Sequence, residues 1–270
     1  MDFARTAQIA RDARISTVRA THSGKTSHVG SSLSMIDILA VLYGGAANIG
    51  PENVDDPERD IVIVSKGHAA AGTYSILAQV GILDPALLTG YSTDGTTLGG
   101  HVTSHGIPGV ELSTGSLGHG LPFGLGRALA AKRRGSAQRV FVLMSDGECD
   151  EGTTWESALV ANHHGLDNLI VAVDRNGIQS LAPTEETLRL EPFADKWRAF
   201  GWRALEIDGH DHRALAAAFV PDPDATGPTV VICDTVKGKG VSFMEDTVLW
   251  HYRSPSDDDL ASALGELEQS

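Results

Sequence analysis

A doubly wound, mostly parallel α/β sheet is the fold class this sequence predicts, and three observations predict it. Short β-branched runs recur along the 270 residues, each leading into a polar or glycine-containing turn and then a segment of helical spacing. Neither an internal sequence repeat nor a low-complexity linker interrupts this alternation. One unit, Arg139 to Ser180, is explicit: an apolar run at Val140–Met144, helical spacing over Thr154–His164, and a second apolar run at Leu169–Val173. A strand–helix–strand unit of that length lays its two strands parallel, with both C-terminal ends on one edge of the sheet. The length suits one domain with a full core over residues 1–270, ending in a tail from about 245 to 270.

The remaining elements follow in chain order. From Phe3 to Arg19, Ile9, Ala13, Ser16 or Thr17 and Ala20 share a side while Arg5, Arg11, Arg14 and Arg19 lie elsewhere, which predicts a surface helix. The glycine- and serine-rich loop around His28 then enters an apolar helix from about Ser34 to Tyr43. Loops delivered into a helix start are frequent anion sites, because free N–H groups point out of the first turn. After a proline- and acid-rich connection (Pro51 to Pro57), IVIVSKGHAAAG reads as strand, turn with Lys66, Gly67 and His68, and a helix beginning among alanines.

Thr96 to Gly126 is the most glycine-dense stretch, and so many glycines weaken regular structure while permitting close backbone approach. Gly118, Gly120 and Gly124 approximate a dinucleotide fingerprint, with Asp146 as a ribose-binding acid, but no buried strand precedes them, so the context fails. Beyond the central unit, EPFADKWRAFGW predicts a helix ended at Gly201. RALEID predicts a strand with a turn at Asp208–Asp211, Arg213–Phe219 a helix, and TVVICDTV a strand after the Pro221–Pro228 loop. By itself, Lys237-Gly238-Lys239-Gly240 reads as a basic, flexible turn at the same sheet edge, or as no more than a solvated turn. The tail ends in an acidic helix.

Composition narrows the partners. A formal charge of −14 leaves no basic face for nucleic acid or an anionic membrane, so any anionic ligand must be held locally. The two cysteines, Cys149 and Cys233, are too few for a disulfide framework and lack metal-site spacing, which predicts a reducing, cytoplasmic setting. No transmembrane-length apolar run and no signal-peptide core are present.

The chemistry concentrates where the central unit's strands end. One strand runs into Ser145-Asp146-Gly147 and the other into Asp174-Arg175-Asn176-Gly177, so Asp146 and Asn176 can face one point in space. Ligands of open α/β sheets bind at that edge. A carboxylate and an amide oxygen suit a hard divalent cation shared with a phosphate.

SDGECDEGTTWESAL followed by DRNGIQS resembles the thiamine diphosphate motif that begins with Gly-Asp-Gly and ends with Asn. TSHVGSSLSMIDIL, VSKGHAAAGTYSIL, GVELSTGSLGHGL, IDGHD and TVKGKGVSF are similar, in the same order, to the N-terminal half of transketolase. The resemblance runs from about His22 to Arg253 and implies the stand-alone N-terminal subunit of a split transketolase. A second chain would then carry the pyrimidine-binding and C-terminal domains, in an α2β2 assembly.

The resemblance also implies roles. Asp146, Asn176 and the Ile178 carbonyl would bind Mg²⁺, and Gly147 would let backbone approach the diphosphate. Gly115, Ser116 and Leu117 would contact the cofactor. His68 and His251 would lie near its phosphates, and His28 and His101 towards the sugar. Histidines near their ordinary pKa would suit the proton movements of ketol transfer. Glu151 would meet the partner's cofactor-activating glutamate, so this chain alone is expected to be inactive. Three departures from the family pattern stand out: Ser145 in place of the first glycine, His119 where many relatives have glutamine, and altered residues around His28 and His251. They fall near the substrate side and leave open a different sugar. Two further alternatives are a pyruvate-type synthase and a non-catalytic paralogue.

Overall fold

The computed structural model describes residues 1–269. Five strands form one all-parallel sheet in the spatial order β1-β2-β3-β5-β4. They are β1 (Ile61–Val64), β2 (Val140–Ser145), β3 (Leu169–Arg175), β4 (Arg203–Asp208) and β5 (Thr229–Asp234). β1 and β2 are buried at every position, as the near-continuous apolar runs of a sheet covered on both faces must be. β4 differs: Arg203, Glu206 and Asp208 leave it partly exposed, and charges on an edge strand discourage pairing with another chain.

Alternate residues of each strand serve opposite cores, as a period of two requires. Val62, Val64, Phe141, Leu143, Ala172 and Val231 face one layer together with Ile38, Leu39, Tyr74 and Leu77. Their neighbours Ile61, Ile63, Val142, Met144, Val171 and Ile232 face the other with Leu121, Ala158 and Trp197. The first layer comprises α1 (Phe3–Ser23), α3 (Ile36–Val41), α4 (Ala70–Gln79) and α9 (His212–Ala218). The second comprises α5 (Gly120–Arg134), α6 (Gly152–His163) and α8 (Phe193–Ala199). The helix α5 carries Lys132, Arg133 and Arg134 in its last turn, where cations oppose the helix dipole, and stops at left-handed Gly135. Outside these layers lie the single-turn α7 (Thr184–Thr187) and the tail helix α10 (Asp257–Leu267), which starts with a Ser256/Asp259 capping box and packs on α1.

Three expectations change. The helix expected over Ser34–Tyr43 begins at Ile36 as α3 and passes into a π-helical turn over Leu42–Ala46, while the loop expected before it holds a short helix of its own, α2 (Val29–Ser34), ended at Met35. Apolar residues fix burial but not where backbone hydrogen bonding shifts. The expected surface helix at the N-terminus is largely embedded, with Thr6, Ile9, Ala10, Ala13, Arg14, Thr17, Val18, Ala20 and Thr21 all buried. Arg14, assigned to the outer face, is buried because it meets Asp37 on α3 with Nη2 2.5 Å from Oδ2. Asp37 also accepts from His210 at 2.6 Å and contacts His212 at 3.0 Å, so residues distant in sequence close one charged knot. Lys237 is the third case, taken up with the site.

Candidate active site

The sheet register brings the two acidic turns together. Ser145 pairs with Asp174, so the residues leaving β2 and β3 emerge side by side. Asp146 then accepts from Gly177 N–H at 2.7 Å and from Gly147 N–H at 2.8 Å. The Gly147 N–H, expected to face a diphosphate, is directed at its neighbouring carboxylate. Asn176 sends Nδ2 to Asp174 at 3.3 Å and receives Ile178 N–H on Oδ1 at 3.2 Å. Burial, with the nearby Asp174 carboxylate second, pushes the Asp146 carboxyl up to about 6. Lys66 acts in the opposite direction without outweighing them, and among the described residues Asp146 makes no ion pair.

Lys237 is the correction to the solvated-turn reading. The residue is 1 % exposed, and its ammonium donates to the carbonyls of Ile178 (2.9 Å) and Gln179 (3.2 Å) and to His251 Nδ1 (3.1 Å). The Ile178 carbonyl, the third expected metal ligand, is therefore already used once, although a carbonyl oxygen keeps a second lone pair. Among the described residues no carboxylate pairs with Lys237. Burial, then repulsion from Lys66, lowers its ammonium to about 8.

Lys66, on the turn after β1, is wholly buried and ion-paired with the equally buried Asp174. Burial alone would raise the Asp174 carboxyl, but the Lys66 charge and the hydrogen bonds from Lys66, Ser34 and Thr235 hold it below its ordinary value.

Three of the histidines gather around His28. Its ring centroid lies 4.9 Å from that of His251, 5.3 Å from His68 and 5.8 Å from His101. His28 has φ 70°, ψ 19°, a left-handed conformation that costs a non-glycine residue on the order of 1–3 kcal/mol. Its N–H donates to the His251 carbonyl at 2.8 Å, which ties the two loops together. Tyr252, half exposed, closes one side with its ring 4.7 Å from His251 and 6.3 Å from His28.

For His28, His68 and His251 the expected near-ordinary pKa values do not hold. Burial, followed by His101, Lys237 and Lys66, lowers His28 to about 4. Burial and Lys237 lower His251 to about 3, and burial and Lys66 hold His68 well below its ordinary value. At neutral pH these rings are neutral, each with one donor and one acceptor nitrogen.

The glycine-rich loop meets this cluster through Gly67. A Cβ there would run into the Thr114 carbonyl, so the turn before His68 packs directly on the backbone leading to Gly115. A Cβ on Gly115 would sit 3.0 Å from the His101 ring. Ser116 is exposed and Leu117 half exposed, with the Leu117 carbonyl 3.0 Å from His119 Nδ1. Glu151 stands apart from the histidines, exposed at the start of α6 against Gly118 and making no side-chain cap there.

The donor set fits a metal diphosphate. Among the described residues no group of three or more His, Cys, Asp and Glu is placed to hold a metal, so a cation must rely on mixed oxygens. A buried carboxylate and a buried ammonium, neither ion-paired among the described residues, lie around one turn. A divalent cation bound to an anionic phosphate would give each a counter-charge.

Residues 5–267 match the family model described as transketolase, thiamine diphosphate binding domain. The chain belongs to the transketolase family. It is 43 % identical to a subunit of the apulose-4-phosphate transketolase of Actinobacillus succinogenes, over 89 % of this chain and 87 % of that protein. A 6-deoxy-6-sulfo-D-fructose transketolase subunit of a Clostridium species is 38 % identical over 90 % of this chain and 88 % of its own. The transketolase structure from Campylobacter jejuni superposes with a TM-score of 0.91 at 26 % identity, covering 99 % of this chain but 43 % of that one. The chain thus spans less than half of the solved transketolases it matches and nearly all of these two separate-subunit relatives. It is an N-terminal transketolase subunit, of the transferase class.

Sequence reasoning missed Lys66, Asp174 and Lys237 as parts of the site. One signal was available: all three lie within a few residues of the C-terminal end of a buried parallel strand, where ligands of such sheets bind.

Proposed function

We propose that this chain, with a second subunit carrying the pyrimidine-binding and C-terminal domains, transfers a two-carbon ketol unit from a ketose donor to an aldehyde acceptor, using thiamine diphosphate and Mg²⁺. The assembly is an α2β2 heterotetramer, and residues 1–270 act as its single diphosphate-binding domain. Supporting a partner, three relatives of about this length are named as transketolase subunits. Among the described residues no helix is long and apolar enough to cross a membrane, and we place the enzyme in the cytoplasm.

The carrying observation is geometric: a buried carboxylate, Asp146, and a buried ammonium, Lys237, neither of them ion-paired among the described residues, meet around the turn after β3. Asp146 and Asn176 would hold Mg²⁺ through side-chain oxygens, with the Ile178 carbonyl as a third ligand. Lys237, His68 and His251 would face the diphosphate, whose negative charge opposes the burial that disfavours their charged forms. Gly115, Ser116 and Leu117 would line the cofactor's flank, and Glu151 would meet the partner's glutamate. Thiamine diphosphate, when bound, supplies the carbanion chemistry at the ketose carbonyl. His28 and His101 would orient sugar hydroxyls, and a neutral imidazole can both donate and accept a hydrogen bond there and take up a proton.

A sugar donor is favoured over pyruvate by this ring of polar imidazoles, which matches a polyhydroxylated chain better than a methyl group. The names of the two relatives suggest a phosphorylated or sulfonated sugar. Purified chain mixed with its partner, Mg²⁺ and thiamine diphosphate is expected to give ketol transfer, and the chain alone none. Full activity without a partner, or turnover of pyruvate in preference to ketoses in a donor screen, would contradict the proposal.

A further inference from the structure

We infer that Asp174, anchored by Lys66, is a positioning residue that turns the Asn176 side chain so that its oxygen rather than its nitrogen faces the cation. The inference rests on the reading of Asp146 and Asn176 as cation ligands. An asparagine amide can present either end, and only the oxygen can bind a metal. A carboxylate accepts hydrogen bonds and cannot donate them, so the end of Asn176 facing Asp174 must be Nδ2, which lies 3.3 Å from Oδ2. The opposite orientation would set an amide oxygen against a buried carboxylate.

Asp174 is rigidly held. Oδ2 accepts from Ser34 Oγ at 2.6 Å and from the Lys66 ammonium, and Oδ1 accepts from Thr235 Oγ1. Lys66 is itself fixed by a second bond to the Ser31 carbonyl at 2.9 Å. With Asn176 included, Oδ2 takes three contacts and Oδ1 one, so the carboxylate is held through both oxygens. The Asp174 carbonyl also accepts from Asp146 N–H at 3.3 Å, so one residue touches both expected metal ligands. Its partners come from α2, the turn after β1, and the end of β5, and side chain and ion pair are wholly buried. A charge pair removed from water costs several kcal/mol in desolvation, and gains in stability do not in general require one. Orienting a ligand does require one here, because the pair places a fixed acceptor behind Asn176.

The test follows the Mg²⁺ dependence of thiamine diphosphate binding to the chain reconstituted with its partner, measured by calorimetry. The double variant Lys66→Met with Asp174→Asn removes both charges together and places an amide behind Asn176 that can itself donate. The Mg²⁺ concentration giving half-maximal cofactor binding is expected to rise about 10–100-fold, with binding retained at saturating Mg²⁺, as for loss of an outer-shell partner. Thr235→Val, a half-buried change without charge, is expected to shift it in the same direction, by about 10-fold at most. An unchanged Mg²⁺ requirement in both variants, even with a lower unfolding temperature, overturns the positioning role. If the double variant does not fold, Thr235→Val decides in the same way. Wild-type complex that binds no cofactor in a Mg²⁺-dependent manner overturns the reading of the site itself, whereas wild-type binding with unshifted variants overturns only the role of Asp174.

Discussion

Replacing Asp146 by asparagine is expected to abolish Mg²⁺-dependent thiamine diphosphate binding while leaving the folded chain intact. Asp146 is the one carboxylate in the expected ligand set, and the other two ligands are neutral oxygens. Mg²⁺ gives up its water reluctantly and takes few protein ligands, so the single anionic one carries most of the attraction. The loss in apparent affinity should exceed the roughly 10–100-fold typical of outer-shell changes. The fold should survive because the carboxylate contributes no stability of its own at neutral pH: burial and Asp174 raise it to about 6, an unfavourable setting for the charged form. Calorimetry of the reconstituted complex measures the binding, and circular dichroism of the same sample checks the fold. Retained affinity in a folded variant would remove Asp146 from the metal site.

The second large effect lies away from the site. Asp37→Ala is expected to destabilise the chain by about 3–5 kcal/mol, because it leaves the buried Arg14 guanidinium without its carboxylate. Burial alone would raise the Asp37 carboxyl, but the Arg14 charge and hydrogen bonds from His210 and His212 outweigh it and hold the group far below the usual carboxylate range. The sign follows. With the folded value depressed, the stabilising contribution is fully present above the unfolded value of 3.8 and is lost as pH falls through the folded one. Urea unfolding of wild type and variant from neutral to strongly acidic pH should therefore show a constant gap down to about pH 4, closing below it. A gap that closes on the alkaline side would contradict this assignment.

The elements that could be read in advance share a physical basis. β1, β2, β3 and β5 are runs of β-branched residues bounded by polar turns, a pattern that few other structures satisfy. Their parallel arrangement places Asp146 and Asn176 on one edge whatever the helices do in detail. The histidines are different, since His28, His68, His101 and His251 are each an ordinary loop residue in sequence. Their gathering depends on loop packing such as the Gly67–Thr114 contact, and only the resemblance to transketolase named them.

Buried charge was the least legible feature. Lys237 lies in a run of lysines and glycines that looks solvated, and Arg14 sits among arginines that do face water. In both cases burial is decided by acceptors far along the chain: the Ile178 and Gln179 carbonyls for Lys237, and Asp37 for Arg14. Local spacing carries no information about such partners. The lowered histidine pKa values follow from the same omission, because burial and the ammonium groups of Lys66 and Lys237 set them.

The most direct test of the central claim is a calorimetric titration of thiamine diphosphate into the chain reconstituted with its partner, once with Mg²⁺ and once with a chelator. One cofactor is expected to bind per copy of this chain with Mg²⁺, and binding is expected to vanish with the chelator. Binding that ignores the chelator, or no binding with Mg²⁺ present, would contradict a metal diphosphate held by Asp146, Asn176 and Lys237.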